Sequence, residues 1–186
     1  MKRTLLAALL ATSTLACSSP DLSTSNAPSC PTGIPFATSA HPDGFTIHAP
    51  HLPGWKVREV EGGGGFVLHH FETTEGDTPS FAMATVTAIT FVPAKTADDA
   101  YNTLRKLGPH AAGWQQSRSD DVEICGKPAR LTTGVSADFH TDYLDIAHPL
   151  GDKFYPIQIA TQIPVANVSR YQSDLNTILS GIRISP

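Results

Sequence analysis

The chain predicts an antiparallel α+β domain, a sheet packed by helices. Two observations carry the prediction. Runs with alternating apolar residues come in pairs joined by glycine- or proline-bearing turns, which marks hairpins. Two stripes at helical spacing interrupt these runs, one in mid-chain and one near the end.

The elements follow in order. Phe45 to Ala49 alternates as a short strand, with Phe45, Ile47 and Ala49 on one face. Pro50, Pro53 and Gly54 turn the chain into a strand at Trp55–Arg58. Gly62 to Gly65 forms a turn, since glycine accepts positive φ without steric cost. A phosphate cradle would need a helix after the glycines; Phe66 to Phe71 reads as strand instead. Phe81 to Val92 is the longest strand. Phe81, Met83, Ile89 and Phe91 share one face, and Ala82, Ala84, Val86 and Ala88 share the other. Neither face is charged, so this strand is expected to be central and covered on both sides, with a helix close to its small residues.

Thr96 and Asp99 make a capping box. Ala97, Ala100, Tyr101, Leu104 and Leu107 form the stripe of the helix they open, which Gly108-Pro109 stops. Val122 to Cys125 meets Ala129 to Thr133 across Gly126-Lys127-Pro128. Asp142 to Ala147 meets Phe154 to Ile163 across residues 150–153. The last helix begins after Pro164, with Val168, Tyr171, Leu175, Ile178 and Leu179 as its stripe. Gly181 ends it, and Ile182 to Ile184 trails as extended chain.

The first sixteen residues read as an export signal. Lys2 and Arg3 precede an apolar run at residues 4–12, too short for the ~20 residues that span a bilayer. Thr14-Leu15-Ala16-Cys17 resembles a lipobox, though Thr14 and Leu15 stand where leucine and a small residue are usual. Ordinary cleavage after Ala16 is the alternative. The chain has three cysteines, Cys17, Cys30 and Cys125. An odd thiol is a hazard in an oxidising compartment. A lipid on Cys17 removes it and leaves Cys30 and Cys125 as a candidate disulfide, the alternative being two free thiols. The expected organisation is a signal peptide at 1–16, a lipidated cysteine and Ser/Thr/Pro-rich linker at 17–40, and one α+β domain at 41–186. The protein is then exported and held on the outer face of the cell membrane by its lipid.

Composition narrows the function. Losing Lys2 and Arg3 takes the formal charge from −4 to about −6. An acidic domain has no pull toward phosphates, so no nucleic-acid partner is expected. No catalytic motif is present, no cofactor is implied and no metal site is expected. His69 and His70 are adjacent, so a strand points them to opposite faces. His70 and Glu72, with His48 or His51, lack tight ligand spacing. Asp138, His140, Asp142 and Asp145 cluster near an expected hairpin turn, where acids commonly cap and solvate the backbone. A Gly-x-Ser-x-Gly nucleophile turn is absent. Trp55, Trp114, Tyr143 and Tyr155, with Phe154, are the aromatics that could line a ligand site. Core packing is the default for each.

The order of these features resembles the mycobacterial LpqN/LpqT-like lipoproteins. The matching points are Pro53-Gly54-Trp55, the central strand at 82–91 and the helix at 96–107. Gly126-Lys127-Pro128-Ala129, the strand at Tyr155–Gln162 and the last helix complete the pattern. The resemblance spans residues ~44–184. It implies a PsbP-like α/β/α sandwich and a cell-envelope lipoprotein of actinobacterial type without enzymatic chemistry. Its expected role is binding a lipid or glycolipid, or accessory work in envelope biogenesis. An interaction module for envelope-assembly proteins is the alternative, and a hydrolase or metal enzyme is a third.

Overall fold

Two periods shape the domain, two residues for strands and 3.6 for helices. The computed structural model describes residues 30–60, 63–71, 82–107 and 113–186. It contains β1 (Phe36–His41), β2 (Phe45–Pro50), β3 (Trp55–Glu59), β4 (Gly65–Phe71), β5 (Ala82–Thr90), α1 (Ala97–Leu107) and β6 (Gln115–Ile124). After these come β7 (Lys127–Ser136), β8 (Phe139–Leu150), β9 (Lys153–Pro164), a 3₁₀ turn (Val165–Asn167), α2 (Val168–Ser180) and β10 (Arg183–Ser185).

Seven strands form one antiparallel sheet in the order β3-β4-β5-β9-β8-β7-β6, and β1-β2-β10 form a second. Register explains where the core lies. Phe66, Ala88, Ile159, Leu144 and Leu131 stand side by side across five strands of the large sheet. That face, the core face, buries them under α2 and the small sheet, whose Phe45, Ile47, Tyr171, Leu175 and Ile178 join the same cluster. Each fully buried side chain of this size contributes roughly 1.5–3 kcal/mol. The opposite face carries α1, which buries Ala100 and Leu104 on β8 and β9. The result is the α/β/α layering that the resemblance implies, with a small sheet sharing the α2 layer.

The capping box forms as expected. The Asp99 N–H donates to Thr96 Oγ1 at 3.1 Å, and that hydroxyl donates to Asp99 Oδ2 at 2.8 Å. In α2 the expected stripe is buried except at Val168. Leu107, counted in the α1 stripe, is exposed at the helix end.

Several expectations need correcting. The segment read as linker contains β1 from Phe36, because its backbone pairs with β2 in an antiparallel hairpin. The trailing end becomes β10 through pairing with β2. The strand expected at 122–125 begins at Gln115. Over the described part of β5, Ala84, Val86 and Ala88 face the core, whereas Ile89 on the other face stays 40% exposed. The covering helix lies farther along the sheet, over β8 and β9, so this strand is closed on one side.

Cys30 and Cys125 are joined, with Cα atoms 5.2 Å apart and a separation of 95 residues in sequence. The bond fastens the start of the described chain to the β6–β7 turn. Arg183 adds to this clamp: its guanidinium donates to the Pro31 carbonyl and lies 4.6 Å from the Phe36 ring centre. Cys17 and the signal segment lie outside the described residues.

Candidate functional site

The α1 face differs in chemistry from the core face. One row across it reads Gln158, Asp145, Arg130 and Asp121 on β9, β8, β7 and β6. The next reads Tyr143, Thr132 and Ser119. A cleft of about 480 Å³ opens between these rows and Arg105 of α1, with Gln116 at one end. Arg130, Thr132 and Asp145 sit on the interior strands β7 and β8, where an apolar core would be the usual choice.

Arg130 forms the floor. Its Nε and Nη2 donate to Asp121 Oδ1 at 3.0 and 2.9 Å, and its guanidinium lies 5.5 Å from the Tyr101 ring centre. Tyr101 in turn donates to the Pro128 carbonyl. This guanidinium is therefore held from both sides. Arg105 hydrogen-bonds Asn102 one turn back on its own helix, so it stands at the cleft as the looser cation. Asp145 is 5% exposed and accepts from Gln158 Nε2 at 2.9 Å. Burial pushes its carboxyl up, against the lowering effect of the Gln158 hydrogen bond and Arg130. Burial also raises the Tyr143 phenol, and Asp145 adds to that.

Trp114 and Tyr143 meet at the far end, ring centres 5.4 Å apart and planes at 63°. The Trp114 indole N–H is buried and has no acceptor among the described residues. A bulge between Gln116 and Arg118 brings this end into line. By strict alternation Gln116 and Ser119 would face opposite ways. The extra residue puts Gln116 on the same face as Ser119 and Asp121.

The four aromatics named from sequence therefore split. Trp114 and Tyr143 come together at the cleft. Trp55 and Tyr155 lie on the core face, 3% and 4% exposed. Trp55 donates to Asp174 Oδ2 at 2.9 Å and Tyr155 to Asp43 Oδ2 at 2.7 Å. Each is closed by a partner of its own, and neither borders the cleft. Phe154 lies on β9, where its backbone pairs with Ala94.

His69 and His70 do point to opposite faces, and His70 packs against Trp55 and Tyr171. No group of three metal-ligating side chains converges among the described residues. The acidic cluster expected near a hairpin turn divides: Asp138 lies in the β7–β8 turn, whereas the other acids need correcting. Asp142 is buried inside β8, where it accepts from Thr133 at 2.7 Å and lies 3.3 Å from His140 Nε2. Its neighbour Asp145 faces the cleft instead. Arg105, Asp121 and Arg130 went unnoticed in sequence because Arg105 reaches the cleft only through the packing of α1 on the sheet, and Asp121 lies before the expected start of its strand. The available signal was Arg130-x-Thr132 opposite Tyr143-x-Asp145, two polar alternations in strands flanked by others.

No protein-family model and no curated protein matches the chain. Solved structures do. LpqN of Mycobacterium tuberculosis, described as involved in cell envelope biogenesis, aligns over 83% of this chain and 92% of its own, with TM-score 0.57 and 18% identity. The chain has the LpqN fold. At that identity the likeness concerns architecture alone. Weaker matches are the cyanobacterial PsbP of Synechocystis (TM-score 0.49, 13% identity, covering 84% and 97%) and the yeast Ran-binding protein Mog1p (0.46, 13%, 81% and 95%).

Proposed function

We propose that this is an exported, lipid-anchored cell-envelope protein that works without catalysis and holds the polar head of a lipid or glycolipid in the α1-face cleft. The cleft itself carries the reading. Its hydroxyl, amide, carboxylate and guanidinium groups outnumber its apolar ones, which suits a head group with many hydroxyls better than an acyl chain. Arg130 and its acidic neighbours largely balance one another, so the site offers hydrogen bonds more than net charge. Tyr143, backed by Trp114, supplies one apolar wall. The envelope role described for LpqN, which shares the fold, supports the setting. The lipobox-like Cys17 supports the anchor.

The test is native mass spectrometry of the full chain released from membranes of its own source. The expected spectrum shows acylated protein with a further non-covalent mass, lost in Arg105→Ala. A Cys17→Ser chain should leave the membrane fraction. Apo protein throughout, with unaltered fractionation of the serine variant, would sink the proposal.

A further inference from the structure

Gly134 sits near the C-terminal end of β7, paired with Gln116 at the bulged end of β6. Its backbone is ordinary, so glycine is not required there for conformation. Space is the reason instead. A Cβ at this position would lie 2.5 Å from Trp114 Cζ2, 2.6 Å from its Cη2 and 2.6 Å from the Gln115 carbonyl oxygen. Real atoms do not approach so closely, so the indole rests on a bare Cα. The same indole meets the edge of Tyr143, and Tyr143 borders the cleft. A large aromatic ring, a missing side chain beneath it and a bulge that aligns the strand end form one arrangement.

We propose that Gly134 is a positioning residue for ligand selection. By leaving room for the Trp114 ring, it holds Tyr143 upright as the aromatic wall of the cleft. That wall selects a ligand that presents a flat apolar face beside its hydroxyls, as a cyclic polyol does. This inference rests on the ligand-binding reading above.

Trp55→Phe makes Trp114 the sole tryptophan, since the chain has two. In this background octyl β-D-glucoside, kept below its micelle concentration, is the probe. The parent should show a saturable change in Trp114 emission. Gly134→Ala should shift Trp114 emission before any probe is added, because the ring has to move. It should also weaken probe binding roughly tenfold while urea unfolding stays cooperative. Tyr143→Leu keeps the reporter and should weaken binding to a similar extent. The double variant should bind no worse than either single one, because both act through one wall. Unchanged emission and affinity in Gly134→Ala would refute the positioning role. So would losses that simply add in the double variant. Should Gly134→Ala not fold, Tyr143→Leu decides: unaltered affinity there removes the wall. No saturable change in the parent would instead remove the binding reading, and this inference with it.

Discussion

The two faces of the large sheet use the same kinds of residue to opposite ends. On the core face Trp55, Tyr155 and Asp142 each find a partner within the fold: Asp174, Asp43, and Thr133 with His140. On the α1 face Tyr143 borders a cleft together with Asp145, which Gln158 holds, and Trp114, packed behind Tyr143, keeps a donor with no acceptor among the described residues. Residue type alone does not separate binding from packing here. What separates them is whether a second layer closes over the side chain. α2 and the small sheet close the core face, while α1 is one helix over a seven-stranded sheet.

The contrast can be broken or sharpened by substitution. The largest effect is expected from the covalent clamp. Replacing Cys30 and Cys125 together with serine should cost about 4–5 kcal/mol in urea unfolding, the chain-entropy value for a loop of this length. Leu175→Ala, in the closed layer, comes next at about 3 kcal/mol. Trp55→Phe keeps the ring but removes the bond to Asp174, for about 1–2 kcal/mol. On the other face Arg105→Ala should change stability by less than about 0.5 kcal/mol, although on the proposed function it should abolish ligand retention. A cleft residue as costly as Leu175 would erase the distinction between the faces.

The buried pair on the core face predicts a smaller, pH-dependent effect. The hydrogen bond to Asp142 raises the His140 imidazole above its ordinary value, against burial. Burial works against charge on Asp142, but the hydrogen bonds from His140 and Thr133 prevail and hold its carboxyl below the ordinary value. The raised histidine stabilises fully below about 6.5, and its contribution fades as pH rises through its folded value. The lowered aspartate stabilises above about 3.8, and its contribution fades as pH falls through its folded value. Asp142→Asn should therefore destabilise more at pH 5 than at pH 8. The NMR titration midpoint of His140 should also fall. Equal losses at both pH values would mean that the pair is not ionised as described.

Much of the fold was legible because burial writes a period into sequence. β2 and β9 alternate, β4 is an apolar run between turns, and both helices show their stripes and their ends. Elements whose buried residues are few, small or polar left no such trace. β1 is Phe-Ala-Thr-Ser-Ala-His and resembles the linker around it. The first half of β6 is an exposed edge of Gln, Ser, Arg and Asp, a composition that guards an edge against pairing and hides the strand. β10 has three residues. For the site, the sequence named Trp114 and Tyr143 but could not separate them from Trp55 and Tyr155, since only topology decides which face is roofed. It also set Asp142 beside a solvated turn at the start of its strand, because a buried carboxylate on a core face depends on Thr133 and His140 arriving at the right register. The bulge at Ser117 hid the rest: it reverses the alternation that a strand reading assumes.

The measurement that bears most directly on the difference between the faces is a ¹H–¹⁵N map of the domain titrated with octyl β-D-glucoside. The open-cleft account predicts amide shifts at residues 116–121, 130–134, 143–145 and the last turns of α1, with α2 and the small sheet unmoved. Shifts centred on Trp55, His70 and Tyr171, or spread evenly over both faces, would contradict it.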